Sequence, residues 1–291
     1  MSTPVVITGC NGQLGKSLQK IAEDYHEIDF HFLESSECDI TDRNQVQQAI
    51  TRLNPEYLIN AAAYTAVDKA ETEIDDAFAV NAYALQNIGQ CMGSKKVLHI
   101  STDYVYHQPG PDPLRENTIL NPQSQYAKSK AAGEKILMTT SAQSMIIRTS
   151  WVYSEFGNNF VKTMLRLSDS NTEIKVVNDQ WGSPTYATDL ARVLLEIISK
   201  DMRLEISNKS WNQVYNYCNK GRITWFDLAS QVMELARKDT IIKPIPTAMF
   251  PTQAPRPPWS VLDMEKIKSK LNVELTDWKV SLEKCIGYLI N

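Results

Sequence analysis

Residues 5–15 read VVITGCNGQLG. A short apolar, β-branched run ends in Gly9, Gly12 and Gly15, spaced three apart, and an amphipathic stretch follows directly. Val and Ile suit a buried strand, and glycine permits the tight turn that carries the chain from strand into helix. The same alternation continues downstream. IDFHFL (28–33), YLINAA (57–62), KVLHIS (96–101) and MIIRTS (145–150) read as further buried strands, with amphipathic segments between them. Helices are expected over 12–24, from an N-cap at Thr41 to a stop before Asn54-Pro55, over 74–92, and after Pro122. This rhythm specifies an α/β fold on a doubly wound parallel sheet.

After Trp151 the rhythm is less regular. A helix is expected over 157–167, a strand at EIKVV (173–177), and a helix over 188–199 capped by Thr188 or Asp189. A further helix over 224–238 opens on a capping box, Thr224 and Asp227. The proline-rich segment 243–259 predicts a loop without regular structure. The expected division is a first domain over 1–150, completed by about 186–218, and a smaller α/β lobe made of 151–185 and 219–291.

Composition narrows the function classes. The chain of 291 residues has a net charge of −4 and contains no Lys/Arg run that could track phosphates, so nucleic acid is not an expected partner. The amino terminus lacks a basic region followed by a long apolar stretch, so no membrane is expected and the cytoplasm is the expected location. Five scattered cysteines, never in C-x-x-C spacing, point to neither a disulfide framework nor a zinc site. His99, inside VLHI, reads as a core residue of a strand.

The glycine spacing carries chemistry. Gly9 allows the turn, Gly12 lets backbone amides approach an anion without a Cβ in the way, and Gly15 lets the helix pack closely. The helix N-terminus then offers its free N–H groups to a pyrophosphate. A dinucleotide is the ligand this turn suits, held by Gly9, Asn11, Gly12, Gln13, Leu14 and Gly15. Glu34, at the end of the second strand, can accept from a ribose 2′-OH and would repel a 2′-phosphate, which leans toward NADH over NADPH. Asp39, with Ile40 beside it in CDIT, is the next candidate to face the adenine.

Residues 126–130 read YAKSK. Tyr126 and Lys130 are one helical turn apart, so an ammonium can act on a phenol. That spacing alone arises about once by chance in a chain of this composition. Its meaning comes from its surroundings.

The G-x-x-G-x-x-G turn, NAAAYTAVDKAE (60–71), STDYVY (101–106) and YAKSK together resemble the extended short-chain dehydrogenase/reductase family. RTSWVY (148–153), GNNFVKTMLRL (157–167) and VNDQWGSPT (177–185) are similar to its dTDP-4-dehydrorhamnose reductases. The resemblance spans nearly the whole chain. It implies a Rossmann-type sheet and reduction of a dTDP-linked 4-keto-6-deoxyhexose by NADH or NADPH. Tyr126 would be the proton donor, Lys130 would lower the proton affinity of Tyr126 and bind the nicotinamide ribose, and Thr102 would align the phenol or the keto oxygen. Ala61, Ala62, Ala63 and Tyr64 would line the cofactor groove. Asp103, Tyr104, Trp151 and Asn159 would touch the sugar, and Arg256 would clamp the diphosphate.

Related 4,6-dehydratases follow that threonine with Asp-Glu, the glutamate being their base; here Asp103 precedes Tyr104, which disfavours dehydration. Three positions depart from the pattern. His107-Gln108-Pro109-Gly110 replaces an Asp-Gly turn, and Val261 stands where a basic residue is usual. Ser17 stands where some members carry a glutamate that links a dimer through magnesium, so no metal site is expected and a homodimer stays open. Two alternatives remain at this point: a reductase of another nucleotide 4-ketosugar, and a non-catalytic homologue resembling the regulatory beta subunit of methionine adenosyltransferase.

Overall fold

The computed structural model describes residues 2–141 and 143–290. The chain begins with β1 (Thr3–Thr8), α1 (Gln13–Ile21), β2 (Ile28–Leu33), α2 (Arg43–Leu53) and β3 (Tyr57–Asn60). It continues through α3 (Ile74–Phe78), α4 (Ala84–Met92), β4 (Lys96–Thr102), α5 (Gln125–Thr140) and β5 (Gln143–Thr149). Then come β6 (Val152–Tyr153), α6 (Phe160–Ser168), β7 (Glu173–Val177), β8 (Trp181–Gly182), β9 (Thr185–Tyr186), α7 (Ala187–Met202) and β10 (Gln213–Asn216). The last elements are β11 (Ile223–Thr224), α8 (Trp225–Leu235), β12 (Ile241–Ile245), β13 (Trp259–Ser260), α9 (Glu265–Leu271) and α10 (Trp278–Ile290).

The main sheet is six-stranded and parallel, in the order β10-β5-β4-β3-β1-β2. The chain starts at β1, steps outward to β2, then crosses back to β3. Open α/β sheets place their ligands beyond the carboxyl ends of the strands at such a reversal. Alternate residues feed two apolar layers. Val5, Ile7, Ile59 and Leu98 pack toward α1 and α7, whereas Val6, Leu58, Val97 and Ile146 pack toward α2, α4 and α5. A separate core, including Tyr153, Val161, Val176, Leu228, Val232 and Leu282, holds the smaller elements together.

Several local expectations are corrected. Asp42, not Thr41, caps α2, accepting from the N–H groups of Asn44 and Gln45; Asp39 instead uses Thr41 as partner for its own carboxylate. Thr188 and Asp189 lie inside the first turn of α7, whose N-cap is Tyr186, because the short β9 delivers the chain directly into the helix. The proline-rich segment is not wholly irregular. Lys243, Pro244 and Ile245 belong to β12, which pairs with β7 in a two-stranded sheet where a missing N–H is tolerated at the edge.

The helix expected over 74–92 is interrupted by a π turn at Ala79–Tyr83. That turn presents the Asn81 carbonyl to α5, so closely that a Cβ on Gly133 would sit 1.9 Å from it. Val261 is buried with Val105, Tyr106, Leu114 and Trp259, which accounts for an apolar residue at that position. The unusual 107–110 turn packs on the same cluster, with Gly110 against the Trp259 ring.

Candidate active site

Three cavities adjoin one another, the first two along the carboxyl ends of the main strands and the third opening onto the smaller lobe. The first, about 300 Å³, runs from Glu34 past Asp39 and Ile40 to the glycine turn and Ala61–63. The second, about 600 Å³, holds Thr102, Asp103, Tyr104, Tyr126, Lys130 and Trp151. The third, about 380 Å³, lies between Arg256 and an apolar wall that includes Phe160, Met164 and Val176. Gly12, Ala61 and Ala63 border both the first and second cavities, while Tyr104 and Trp225 border both the second and third.

The glycine turn fits a dinucleotide pyrophosphate. Gly9 has φ +73°, and a Cβ there would lie 2.4 Å from the Ala62 nitrogen, so the turn after β1 packs directly on the turn after β3. A Cβ on Gly15 would meet the Gly9 carbonyl at 2.4 Å. Gly12 is open apart from one contact at 3.3 Å, and as N-cap of α1 it leaves the helix end free of any side-chain cap. The first turn of α1 contains no acidic residue. An uncapped helix terminus facing a cleft is what an anion requires.

Tyr126 and Lys130 project from α5 beside Thr102, the last residue of β4. Ser124 caps that helix by accepting from the Ala127 N–H. Burial pushes the Tyr126 phenol up to about 12; the neighbouring Thr102 side chain opposes this and the Asp103 charge adds to it. Burial brings the Lys130 ammonium down to about 8, with Glu134 pulling the other way. Lys130 Nζ donates to the Ile100 carbonyl at 2.7 Å and lies 3.3 Å from His99 Nε2. In this arrangement the Lys130 ammonium is turned onto β4, and burial is the largest influence on the phenol.

Asp103 is buried, and burial pushes its carboxyl up to about 6 against hydroxyls of Ser260 and Thr102. Its Oδ1 accepts from Thr102 at 3.1 Å, and its Oδ2 has no hydrogen-bond partner. An unpaired buried carboxylate oxygen at a cleft wall suits a sugar hydroxyl. Tyr104 meets the Tyr126 ring edge-on, centroids 5.8 Å apart.

Trp151 stacks face to face on Trp225 at 3.7 Å, and Phe160 tilts against Trp225 at 4.7 Å. Gly182 makes room for it, since a Cβ there would lie 2.6 Å from the Trp151 ring. Trp225 was not anticipated. It opens α8 as the first residue after the Thr224 cap, a position whose sequence signal is a helix start and nothing more.

Two expected contacts are redirected. Asn159 caps α6, and its amide donates to Gln13 Oε1 at 2.9 Å and to the Ser154 carbonyl at 2.7 Å, so the cleft wall is formed by its neighbours Gly157 and Asn158. Gln13 thereby ties α1 to the loop before α6. Tyr64 donates its hydroxyl to Glu73 and does not border the first or second cavity, unlike Ala61 and Ala63. Arg256 does reach the third cavity, where Nη2 pairs with Asp68 Oδ2 at 2.6 Å. Asp68 was also missed. Its carboxylate additionally accepts from the Ala254 N–H at 3.0 Å, fastening the proline-rich loop to the segment after β3.

Among the described residues, no group of three or more His, Cys, Asp or Glu is placed to hold a metal ion, and no helix is long and apolar enough to cross a membrane.

Comparison with known proteins agrees with this arrangement. The family described as RmlD substrate binding domain matches residues 3–290. The dTDP-4-dehydrorhamnose reductase of Aggregatibacter actinomycetemcomitans is 38% identical over 292 residues, covering 98% of both chains. That of Escherichia coli K12 is 35% identical over 302 residues, covering 98% of this chain and 97% of the other. The crystal structure of the Bacillus anthracis dTDP-4-dehydrorhamnose reductase in complex with NADP is 36% identical, with a TM-score of 0.91 over 99% of this chain and 100% of that one. With a match that runs through the glycine turn, the Tyr126 helix and the smaller lobe alike, the chain belongs to the dTDP-4-dehydrorhamnose reductase family.

Proposed function

We propose that this chain is a cytoplasmic NAD(P)H-dependent reductase that converts the 4-keto group of dTDP-4-dehydro-6-deoxy-L-mannose to the alcohol of dTDP-L-rhamnose, for polysaccharide biosynthesis. The observation that carries the reading is the placement of Tyr126 and Lys130 beside Thr102 in a cleft continuous with the glycine turn. Residues 1–150 with 186–218 form the cofactor lobe in this reading. What supports that division is the pairing of β10 with β5 in the main sheet and the separate core of the remaining elements.

The glycine turn and Ala61–63 would hold NAD(P)H, which would supply the hydride for the carbonyl carbon. The chain's own work is at the oxygen. As negative charge develops there, the Tyr126 hydroxyl gives up its proton to it, and Thr102 and Tyr126 hold the oxygen in line. The Lys130 ammonium stabilises the phenolate that remains. Asp103 Oδ2 accepts from a sugar hydroxyl. The Trp151–Trp225 stack offers a flat apolar surface to the deoxyhexose, and Arg256 meets the diphosphate beyond it.

Assays of a panel of nucleotide 4-ketosugars with both cofactors test the reading directly. Turnover is expected with the dTDP-linked 4-keto-6-deoxyhexose; tight cofactor binding without turnover of any member of the panel would overturn it. In the same assay Glu34→Ser is expected to raise the NADPH/NADH ratio of kcat/KM about tenfold, because a carboxylate that repels a 2′-phosphate is gone. An unchanged ratio would remove Glu34 from cofactor choice.

The pH dependence has a defined sign. The ammonium form of Lys130 is the one that assists, and it is lost as pH rises through about 8. The phenol, pushed up to about 12, stays protonated through that range. The expected profile of kcat/KM therefore falls on the alkaline side near pH 8. A profile flat to about pH 10, the range of an unperturbed lysine, would show that Lys130 ionisation does not matter.

A further inference from the structure

The smaller lobe is fastened to the cofactor lobe along one face of α1. Gln13 and Lys20 lie two helical turns apart on that face, and both reach the loop between β6 and α6. Lys20 Nζ pairs with Glu155 Oε1 at 2.5 Å and sits 3.1 Å from the centre of the Tyr288 ring; neither Lys20 nor Glu155 borders the three cavities. Gln13 does border the second cavity. Its amide has a fixed orientation. Asn159 Oδ1 accepts from the Lys162 N–H at 3.1 Å as the cap of α6, so the Asn159 amide nitrogen faces Gln13, which meets it with its carbonyl Oε1 at 2.9 Å. Ser154 Oγ lies 2.9 Å from the same oxygen. Gly157 has φ +59°, and a Cβ there would come within 3.2 Å of Gln13 Cγ, so the loop and this side chain approach closely. The residue before Gln13 is Gly12, the open position at the uncapped end of α1.

We propose that Gln13 is a positioning residue that holds the α6 wall of the third cavity in register with the cofactor turn, so that cofactor and sugar nucleotide bind more tightly together than apart. α6 begins directly after Asn159, and its residues Phe160, Thr163, Met164 and Leu167, spaced along one helix face, line the third cavity. An anion seated on the uncapped end of α1 restrains the first turn of that helix, and Gln13 is the first residue of the turn. The restraint passes to the cap of α6 through the Gln13–Asn159 hydrogen bond. Lys20 gives the loop a second attachment away from the cofactor, so loss of the Gln13 bond loosens the wall without detaching the lobe. Coupling of this kind is reciprocal, each ligand tightening the other by the same factor.

This inference rests on the reading of the cleft as the site of a dTDP-linked sugar, and dTDP serves as the probe for the nucleotide part of that substrate. Calorimetric titration of the chain with dTDP is expected to give an affinity about fivefold higher with saturating NADP⁺ than without it, a factor within the reach of one hydrogen bond. In Gln13→Leu that factor is expected to fall below about twofold. The KM for the ketosugar at saturating cofactor is then expected to rise about fivefold, with kcat within about twofold of the parent. Asn159→Ser, which still caps α6 but is too short to reach Gln13, is expected to do the same. Gln13→Glu keeps an acceptor for Asn159 but sets a negative charge beside the pyrophosphate, so it is expected to weaken NADP⁺ binding and yet retain the fivefold factor. A purely structural Gln13 would lower the melting temperature and leave the factor intact. Equal dTDP affinity with and without NADP⁺ in the parent, or an unchanged factor in both Gln13→Leu and Asn159→Ser, would overturn the positioning role. No binding of dTDP to the parent under either condition would instead overturn the reading of the site.

Discussion

Tyr126→Phe is expected to lower kcat by about 10²- to 10⁴-fold, the range for removing a positioned general acid, while the affinity for NADPH stays within about twofold of the parent. The Tyr126 ring packs nearly perpendicular to that of Tyr104, and phenylalanine preserves that contact. Only the hydroxyl proposed to face the reacting oxygen is lost. A purely structural role would move the melting temperature and leave kcat nearly unchanged. Steady-state kinetics with the dTDP-linked ketosugar, paired with fluorescence titration of the cofactor, separates the two outcomes. A variant that retains more than about a tenth of the rate would show that another group protonates the alkoxide.

The second large effect lies behind the cleft. Arg148 on β5 makes a two-pronged ion pair with Glu134 on α5, Nε to Oε1 at 2.9 Å and Nη2 to Oε2 at 2.6 Å, with both residues buried. Arg148 also donates to the Tyr106 hydroxyl at 2.7 Å, and Glu134 accepts from Ser101, the residue before Thr102. The pair therefore joins α5, which carries Tyr126 and Lys130, to the end of β4. Arg148→Met is expected to cost about 3–5 kcal/mol in urea unfolding, because it strands a carboxylate in an apolar setting. The double variant Arg148→Met/Glu134→Leu is expected to recover a large part of that loss, since the unpaired charge is then gone as well. Equal destabilisation of single and double variants would mean that packing volume, and not the stranded charge, sets the cost.

The parts of the site legible in the chain are those with local signals. The glycine spacing after VVIT marks an anion-binding turn, and the structure leaves Gly12 open and α1 uncapped at that place. The Tyr126–Lys130 spacing marks a shared helix face, and both residues border one cleft with Thr102. Sequence reasoning misplaced caps by one or two residues, at Thr41 and at Thr188, because several neighbouring residues were chemically able to cap and only the incoming chain direction chooses among them. It also assigned Asn159 to the sugar from its motif, although that amide is spent on a helix cap and on Gln13, 146 residues away.

What the amino-acid order determined by itself is the alternation of buried strands and amphipathic helices, the turn that suits a dinucleotide, and the turn-spaced Tyr126 and Lys130. Each is written within a few residues, where backbone geometry alone sets the neighbours. Tertiary structure decided the rest: that Trp225 backs Trp151, that Asp68 holds Arg256 across 188 residues of chain, that Glu134 pairs with Arg148, and that Lys130 turns onto His99. Those partners lie on elements that meet only after the sheet has closed, so no local pattern of residue types could announce them.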